Sequence, residues 1–261
     1  MQYVGLRNYK FILHDLAFWG SVANTAYFAF AFLIFEIPFS LGLAVALNSR
    51  KVKCRSLLRF AFLSSHFVGN VFVSILFGFL LAPRHGLVNK AIGTVFPAIG
   101  TETQWTSKPA LAMPAMVLTA LWLAVGYAMI YFLAALQNVE PELYEAAAVD
   151  GATRWQKFRN ITLPGIMPVV RYLVLVGLVS AFQMFELPYI LFNQTAGPAG
   201  RGITIVMYLY LMGFNTGDLG YASAVGWMLV LILILLSILL MLLQWRAIRS
   251  FANTPRTAAG L

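Results

Sequence analysis

Two carboxylates stand inside otherwise apolar runs: Glu36, two residues before Pro38, and Glu186, two residues before Pro188. A charged side chain at the centre of a bilayer costs about 2.5–3.5 kcal/mol on insertion scales, so an ionisable residue there marks a candidate site. Glu36 reads as structural, bonding a neighbouring helix or the backbone that Pro38 frees. Glu186 reads as facing a substrate. The run Phe182-Gln183-Met184-Phe185-Glu186-Leu187-Pro188-Tyr189 around it mixes aromatic rings with amide and carboxylate groups. Sugars need that mixture, ring faces for their C–H surfaces and polar atoms for their hydroxyls, although helix packing accounts for each aromatic equally well. Ser64-Ser65-His66 is the nearest approach to a catalytic cluster. The chain has no G-x-S-x-G, no H-E-x-x-H and no paired intramembrane aspartates, so these side chains are expected to bond within a helix bundle. His14, His66 and His85 have no metal-ligand spacing. Cys54 is the one cysteine, which excludes an intrachain disulfide and argues against a thiolate cluster. No G-x-x-x-x-G-K-[ST] loop is present to cradle nucleotide phosphates. The residues therefore predict neither catalytic nor metal-binding groups.

The elements that must position these groups are membrane helices. Of 261 residues, 61% are hydrophobic and 10% charged, with a mean hydropathy of +0.80. A soluble domain carries about 25% charged residues, so this chain could not cover a water-facing surface. A bilayer core about 30 Å thick takes about 20 apolar helical residues. Stretches 19–47, 57–82, 110–136, 166–192 and 222–245 meet that length. Strand-period alternation is missing, so the expected class is all-α, a polytopic bundle of about five transmembrane helices. Segment 203–212 is too short to span and is expected to lie at the interface or re-enter.

The net charge of +9 would suggest nucleic acid in a soluble protein, but here it reads as topology. Arg50, Lys51, Lys53, Arg55 and Arg59, then Arg154, Lys157 and Arg159, then Arg246, Arg249 and Arg256 all fall on one side of the alternating spans. They outnumber Arg7, Lys10, Arg84, Lys90, Lys108 and Arg201 on the other, which places the first set in the cytoplasm beside anionic lipid. The expected organisation is an external segment 1–18, a transmembrane domain 19–245 with a cytoplasmic loop 137–166, and a cytoplasmic tail 246–261.

That loop is the most polar stretch in the chain. Pro141 suits the first turn of a helix, with Glu140 and Glu142 near its positive end. Residues 143–149 read as a short Ala-rich helix that Gly151 terminates, with Asp150 able to cap the next one. A second helix over 152–161 is expected to end at Leu163-Pro164. Pattern alone leaves docking to a partner and lying on the membrane surface equally open.

The spacing Glu145-Ala146-Ala147, Asp150-Gly151-Ala152, Phe158, Ile161, Leu163-Pro164 and Pro168 resembles the EAA motif of ABC importer permeases. The resemblance is closest to the MalF-like sugar permeases and covers nearly the whole chain. Val4-Gly5-Leu6-Arg7-Asn8-Tyr9 resembles the segment before that family's second helix. Gly86-Leu87-Val88-Asn89 and Trp105 resemble its external loop, and Gly197-Pro198, Tyr210, Phe214 and Leu219-Gly220-Tyr221 the stretch before its last helix. The family usually has one more helix ahead of the first segment, so the chain reads as one helix short. The resemblance implies a MetI/MalF-like permease core, multi-pass in a bacterial or archaeal plasma membrane. It implies partnership with a second permease subunit, two ATP-binding cassette subunits and an extracytoplasmic solute-binding protein. The cargo would be a sugar or polyol, and ATP and Mg would be used by the partners, with no cofactor bound by this chain. Glu145, Ala146, Ala147, Asp150, Gly151, Leu163 and Pro164 would couple to the ATPase. Trp122, Gly126, Phe182, Gln183 and Glu186 would line the substrate path, a small Gly126 leaving room for ligand. A secondary transporter or channel working without an ATPase is the competing expectation. It predicts broken helices at mid-membrane and a repeat between halves, and no repeat is evident.

Overall fold

A computed structural model describes residues 4–49, 52–95 and 102–252; Arg50, Lys51 and the tail beyond 252, with Arg256, lie outside them. Among the described residues the regular structure is helical, with no strand. Helix α1 (Arg7–His14) is short and amphipathic, and Asp15 separates it from α2 (Leu16–Asn48). At 33 residues α2 exceeds the thickness of a bilayer core. Its buried stripe runs from Phe18 through Phe28, Phe32 and Glu36 to Leu47 in steps of three or four, which keeps one face inward. The opposite face shows Phe30 and Phe39 outward, as lipid contact requires.

Helix α6 (Pro109–Gln137) is the most buried span and packs along α2. Met116, Leu123, Met129 and Phe132 on α6 close against Phe28, Phe32, Ala44 and Leu47 of α2 in two successive apolar clusters. The last helix, α11 (Leu219–Ala252), sits at the rim, and Trp227, Leu235 and Met241 are 63%, 67% and 73% exposed. Exposure of that extent on three large apolar side chains suits hydrocarbon and not water.

The second and fourth expected spans differ from straight helices. The segment 57–82 is broken into α3 (Arg55–Phe67) and α4 (Asn70–Leu80), bent by 102°. Val68 and Gly69 are extended at the break. Ser64 Oγ and Ser65 Oγ donate to the carbonyls of Ala61 and Phe62 at 2.8 Å each, so the polar groups before the bend keep partners. Both bonds stay within α3 itself. The fourth span begins earlier and ends earlier than 166–192. Helix α8 (Arg154–Phe182) runs unbroken from the polar loop into the bundle, then stops, and α9 (Glu186–Leu191) follows after a short gap. Leu163-Pro164 does not end a helix, in contrast to the sequence expectation. A wide π-turn at Phe158–Thr162 precedes Pro164 and accommodates its missing N–H. The short apolar element is present as α10 (Ile205–Asn215).

Two polar nodes fasten the end of the bundle that carries α1. Asp15 caps α2 through Ala17 N–H at 2.9 Å, and its other oxygen accepts from the hydroxyls of Tyr208 on α10 and Tyr221 on α11. Burial raises the Asp15 carboxyl, but the tyrosine and backbone hydrogen bonds outweigh it and hold the group below its usual range. The second node is Asn89 on α5 (Leu87–Val95). It is fully buried, donates to the carbonyls of Ala82 and Thr103, and accepts from Trp105 Nε1 at 2.7 Å. An added Cβ at Gly86 would lie 2.4 Å from the Leu80 carbonyl oxygen, so only glycine fits where this loop folds back.

Two outcomes are expected from these contacts. Gly126 on α6 faces α3 so closely that a Cβ would lie 1.9 Å from the Phe62 carbonyl oxygen. Gly126→Val should destabilise the protein by about 1–3 kcal/mol through overpacking, seen as a lower midpoint when detergent-purified protein is heated and its surviving monodisperse fraction measured. Asp15→Asn should cost about 1–3 kcal/mol above pH 5 by weakening the acceptor of two hydroxyls. The native carboxyl is lowered from 3.8, so its contribution is complete above that value and is lost as pH falls through the depressed one. Wild type and variant should therefore draw together in thermal midpoint as the pH is taken progressively below 3.8; a difference unchanged with pH would refute the assignment.

Candidate functional site

Two helix breaks face each other across the bundle. On one side Gly69 ends the bend between α3 and α4, and Asn70 opens α4. On the other Gln183 to Phe185 separate α8 from α9, and Glu186 opens α9. Asn70 Nδ2 donates to Glu186 Oε2 at 3.2 Å and joins the two sides. Interrupted helices of this kind present polar atoms at membrane depth only where they line a cavity.

Such a cavity is present, about 250 Å³ and open on one side, bordered by α2, α6, the α3–α4 bend and the α8–α9 break. Its polar lining comprises Glu36, His66, Asn70, Ser180, Gln183 and Glu186, with Tyr127 beside them. The His66 ring lies on Tyr127 with centroids 4.5 Å apart, and Tyr127 Oη meets Tyr131 Oη at 2.9 Å. Glu36 is 5% exposed, and its Oε2 has no hydrogen-bond partner among the described residues. The sequence expectation that Glu36 bonds a neighbouring helix or the backbone freed by Pro38 is therefore not met at this oxygen. An added Cβ at Gly177 would fall 2.7 Å from Leu33 Cδ2 and 3.2 Å from Glu36 Oε2, so this glycine lets α8 lie close against the α2 side chains.

The path residues expected from sequence divide. Gln183 and Glu186 line the cavity. Phe182 is 2% exposed and belongs to the apolar core. Trp122 lies on the outer face of α6, 42% exposed, with its ring 6.0 Å from Phe77. Gly126 leaves no room for a ligand, because the Phe62 backbone fills that space. Trp122 and Gly126 instead border an apolar groove of about 910 Å³ between α2, α3 and α6. Phe185 and Tyr189, adjacent in sequence to the cavity residues, stack on each other at 5.0 Å and join Tyr210 and Phe214 in a separate aromatic row. Sequence reading missed His66, Asn70 and Tyr127 as cavity residues. Their one signal was the Gly69-Asn70 pair inside an apolar run.

The polar loop forms a rigid elbow. Helix α7 (Pro141–Val149) ends in a Schellman arrangement: Gly151 N–H donates to Ala148 O at 3.2 Å and Ala152 N–H to Ala147 O at 2.9 Å. Gly151 has φ +74°, the left-handed conformation that glycine adopts without strain. Asp150 does not cap the following helix. Thr153 does, in a capping box: its N–H donates to Gln156 Oε1 at 2.7 Å, and its Oγ1 accepts from Gln156 N–H at 3.3 Å. Thr153 follows the glycine turn at the distance a cap needs, whereas Asp150 is still occupied in the end of α7. Tyr144 Oη and Thr162 Oγ1 meet at 2.8 Å and tie α7 to the foot of α8. Outside this brace the elbow is open. Glu145 and Ala146 are exposed, Ala147 is half-buried, and Val149 and Trp155 are 90% and 67% exposed.

Comparison with known proteins agrees with this architecture. Residues 36–246 match the family described as "Binding-protein-dependent transport system inner membrane component". The arabinooligosaccharides transport system permease protein AraP of Bacillus subtilis (strain 168) is 36% identical over 244 residues, covering 92% of this chain and 75% of that protein. A crystal structure of a bacterial ABC transporter involved in the import of the acidic polysaccharide alginate superposes with a TM-score of 0.82 at 25% identity, over 94% of this chain and 85% of the other. The bacterial alginate ABC transporter in complex with alginate pentasaccharide-bound periplasmic protein gives 0.79 at 26% identity, over 92% and 82%. Matched across most of its length in both sequence and fold, the chain belongs to the binding-protein-dependent transport system inner membrane components, as a multi-pass permease subunit of an ABC importer.

Proposed function

We propose that this permease, with a second permease subunit, forms the translocation path for a sugar or short oligosaccharide released by an extracytoplasmic solute-binding protein. The cargo class is supported by the arabinooligosaccharide relative and by the alginate transporters, one of them in complex with a sugar-loaded periplasmic protein. Two ATP-binding cassette subunits supply the energy, and ATP and Mg bind there; this chain contributes no nucleotide site and no cofactor. The loop 137–166 faces the cytoplasm, where its basic neighbours Arg154, Lys157 and Arg159 suit the anionic leaflet.

The elbow carries the coupling assignment. A docking helix transmits force only if its ends are fixed and if it is joined stiffly to a membrane helix. Helix α7 meets both conditions: its C-terminus is closed by Gly151, and Tyr144 braces it on α8, which continues without a break to Gly177 and Ser180 at the cavity. Exposed Ala146 and Val149 allow a second surface to approach the backbone, and Glu145 is free to meet a basic group on the ATPase. Leu163 and Pro164 hold the foot of α8 and act through it. Movement of α7 is thus delivered to the cavity wall along one continuous element. The competing reading, a secondary transporter, draws on the broken helices around the cavity. It leaves the braced elbow without a purpose.

Purified from its native membrane, the chain should bring down a second permease and an ATPase whose activity rises when sugar-loaded binding protein is added. Gly151→Pro forces φ to about −65° where +74° is needed, and Glu145→Lys reverses the exposed charge. Each should lower stimulated ATP hydrolysis and uptake about tenfold, a coupling loss near 1.4 kcal/mol, with the amount of protein in the membrane unchanged. Wild-type uptake in both variants would overturn the coupling assignment.

A further inference from the structure

We propose that Glu36 and Glu186 make the transmembrane cavity selective by charge: it accepts glycans that present hydroxyl or protonated amino groups and rejects glycans that carry carboxylates. The inference rests on the cavity being part of the sugar path proposed above. Its observations are separate. Glu36 is buried at mid-span with Oε2 facing Gly177 and no partner, an expensive arrangement in hydrocarbon unless a ligand supplies the donor. Glu186 already accepts from the amide of Asn70. An ionised carboxylate accepts hydrogen bonds and cannot give one. None of the described residues lining the cavity is Lys or Arg, and its one imidazole, His66, lies flat on Tyr127.

The cavity therefore presents two carboxyl groups and, among its described lining, no Lys or Arg. A hydroxyl or ammonium group entering it completes Glu36; a carboxylate meets the Glu186 side chain and the oxygens of Glu36 with no cation to offset them. The volume of about 250 Å³ corresponds to about eight waters of liquid, the scale of one sugar unit at a time. In this respect the expected cargo differs from the acidic polysaccharide of the structural neighbours. A side chain at Gly177 would press on both Leu33 and Glu36 Oε2.

The cavity's charge preference can be read without knowing the natural cargo. Cys54, the only cysteine, is replaced by Ser, and Ser180→Cys places one thiol on the cavity wall. Membranes carrying the chain with its partner subunits are treated with trimethylammonium-ethyl, hydroxyethyl and sulfonatoethyl methanethiosulfonate. The rate of mass gain of this chain is divided by each reagent's rate on free 2-mercaptoethanol. The corrected rates should fall in the order cationic, neutral, anionic, with about tenfold or more between the extremes, the scale of focusing by a charged low-dielectric cleft. Glu36→Gln should cut that ratio several-fold, and Glu186→Gln reads the same field should Glu36→Gln fail to accumulate. A ratio near one, a ratio unchanged in the variant, or no modification by any reagent overturns the proposal. ATP-driven uptake of a neutral oligosaccharide, measured in parallel, separates the two readings. Uptake with a ratio near one rejects only the charge selectivity, and a cation preference without uptake rejects only the transport assignment.

Discussion

In hydrocarbon no water is available to a backbone N–H or C=O, so every departure from a straight helix needs partners inside the protein. Each irregular point in this permease is built on that constraint. The bend between α3 and α4 follows two serines whose hydroxyls take up the carbonyls before it. Beyond the α8–α9 break, Thr204 Oγ1 donates to Met184 O at 2.8 Å. The chain returning towards α10 is held by Asn24, which donates to Gly200 O and Ile203 O, and by Thr25, which accepts from Ile205 N–H. The π-turn of α8 has Thr162 bonded to Tyr144. Polar residues on buried faces that hydropathy counts as blemishes are thus the means by which bends become affordable.

Once satisfied, the breaks can be placed to a purpose. Two of them meet across one space and bring Asn70, Gln183 and Glu186 to the wall of one cavity. The same element that ends at the second break begins at the cytoplasmic elbow. A single helix, α8, thus joins the surface proposed to meet an ATPase with the wall of the cavity proposed to meet cargo. The stiffness of the elbow at its foot comes from ordinary means: a Schellman turn, a capping box and one hydroxyl pair.

Much of the architecture was legible in the chain. Spans at 19–47, 110–136 and 222–245 correspond to α2, α6 and the membrane part of α11 within a few residues, because a long apolar run in a chain with 10% charge has few alternatives. The helix-terminating role of Gly151 was also legible, since a left-handed turn after an Ala-rich helix calls for glycine. The failures share a cause. Hydropathy is blind to direction, so 57–82 and 166–192 read as single spans although Gly69 bends one and Gln183 interrupts the other. Asp150 and Thr153 are both good caps by type, and only the geometry of the turn between them selected Thr153. Gly126 and Gly177 are both mid-span glycines; one admits a neighbour's backbone and the other the side chains of Leu33 and Glu36, a distinction that depends on what lies opposite.

Composition and spacing by themselves determined that the chain is a helical membrane protein, how its charged loops divide, and which family's loop pattern it carries. These are properties of the chain's own order: apolar run length against bilayer thickness, and turn residues at set intervals. Tertiary structure alone decided which ionisable and polar side chains share a space. Glu36, Asn70 and Glu186 lie on three elements far apart in sequence, and their meeting depends on the 102° bend and on the packing of α2 against α6 and α8. Contacts of that kind are set by how helices cross, and nothing local to any one of those residues encodes it.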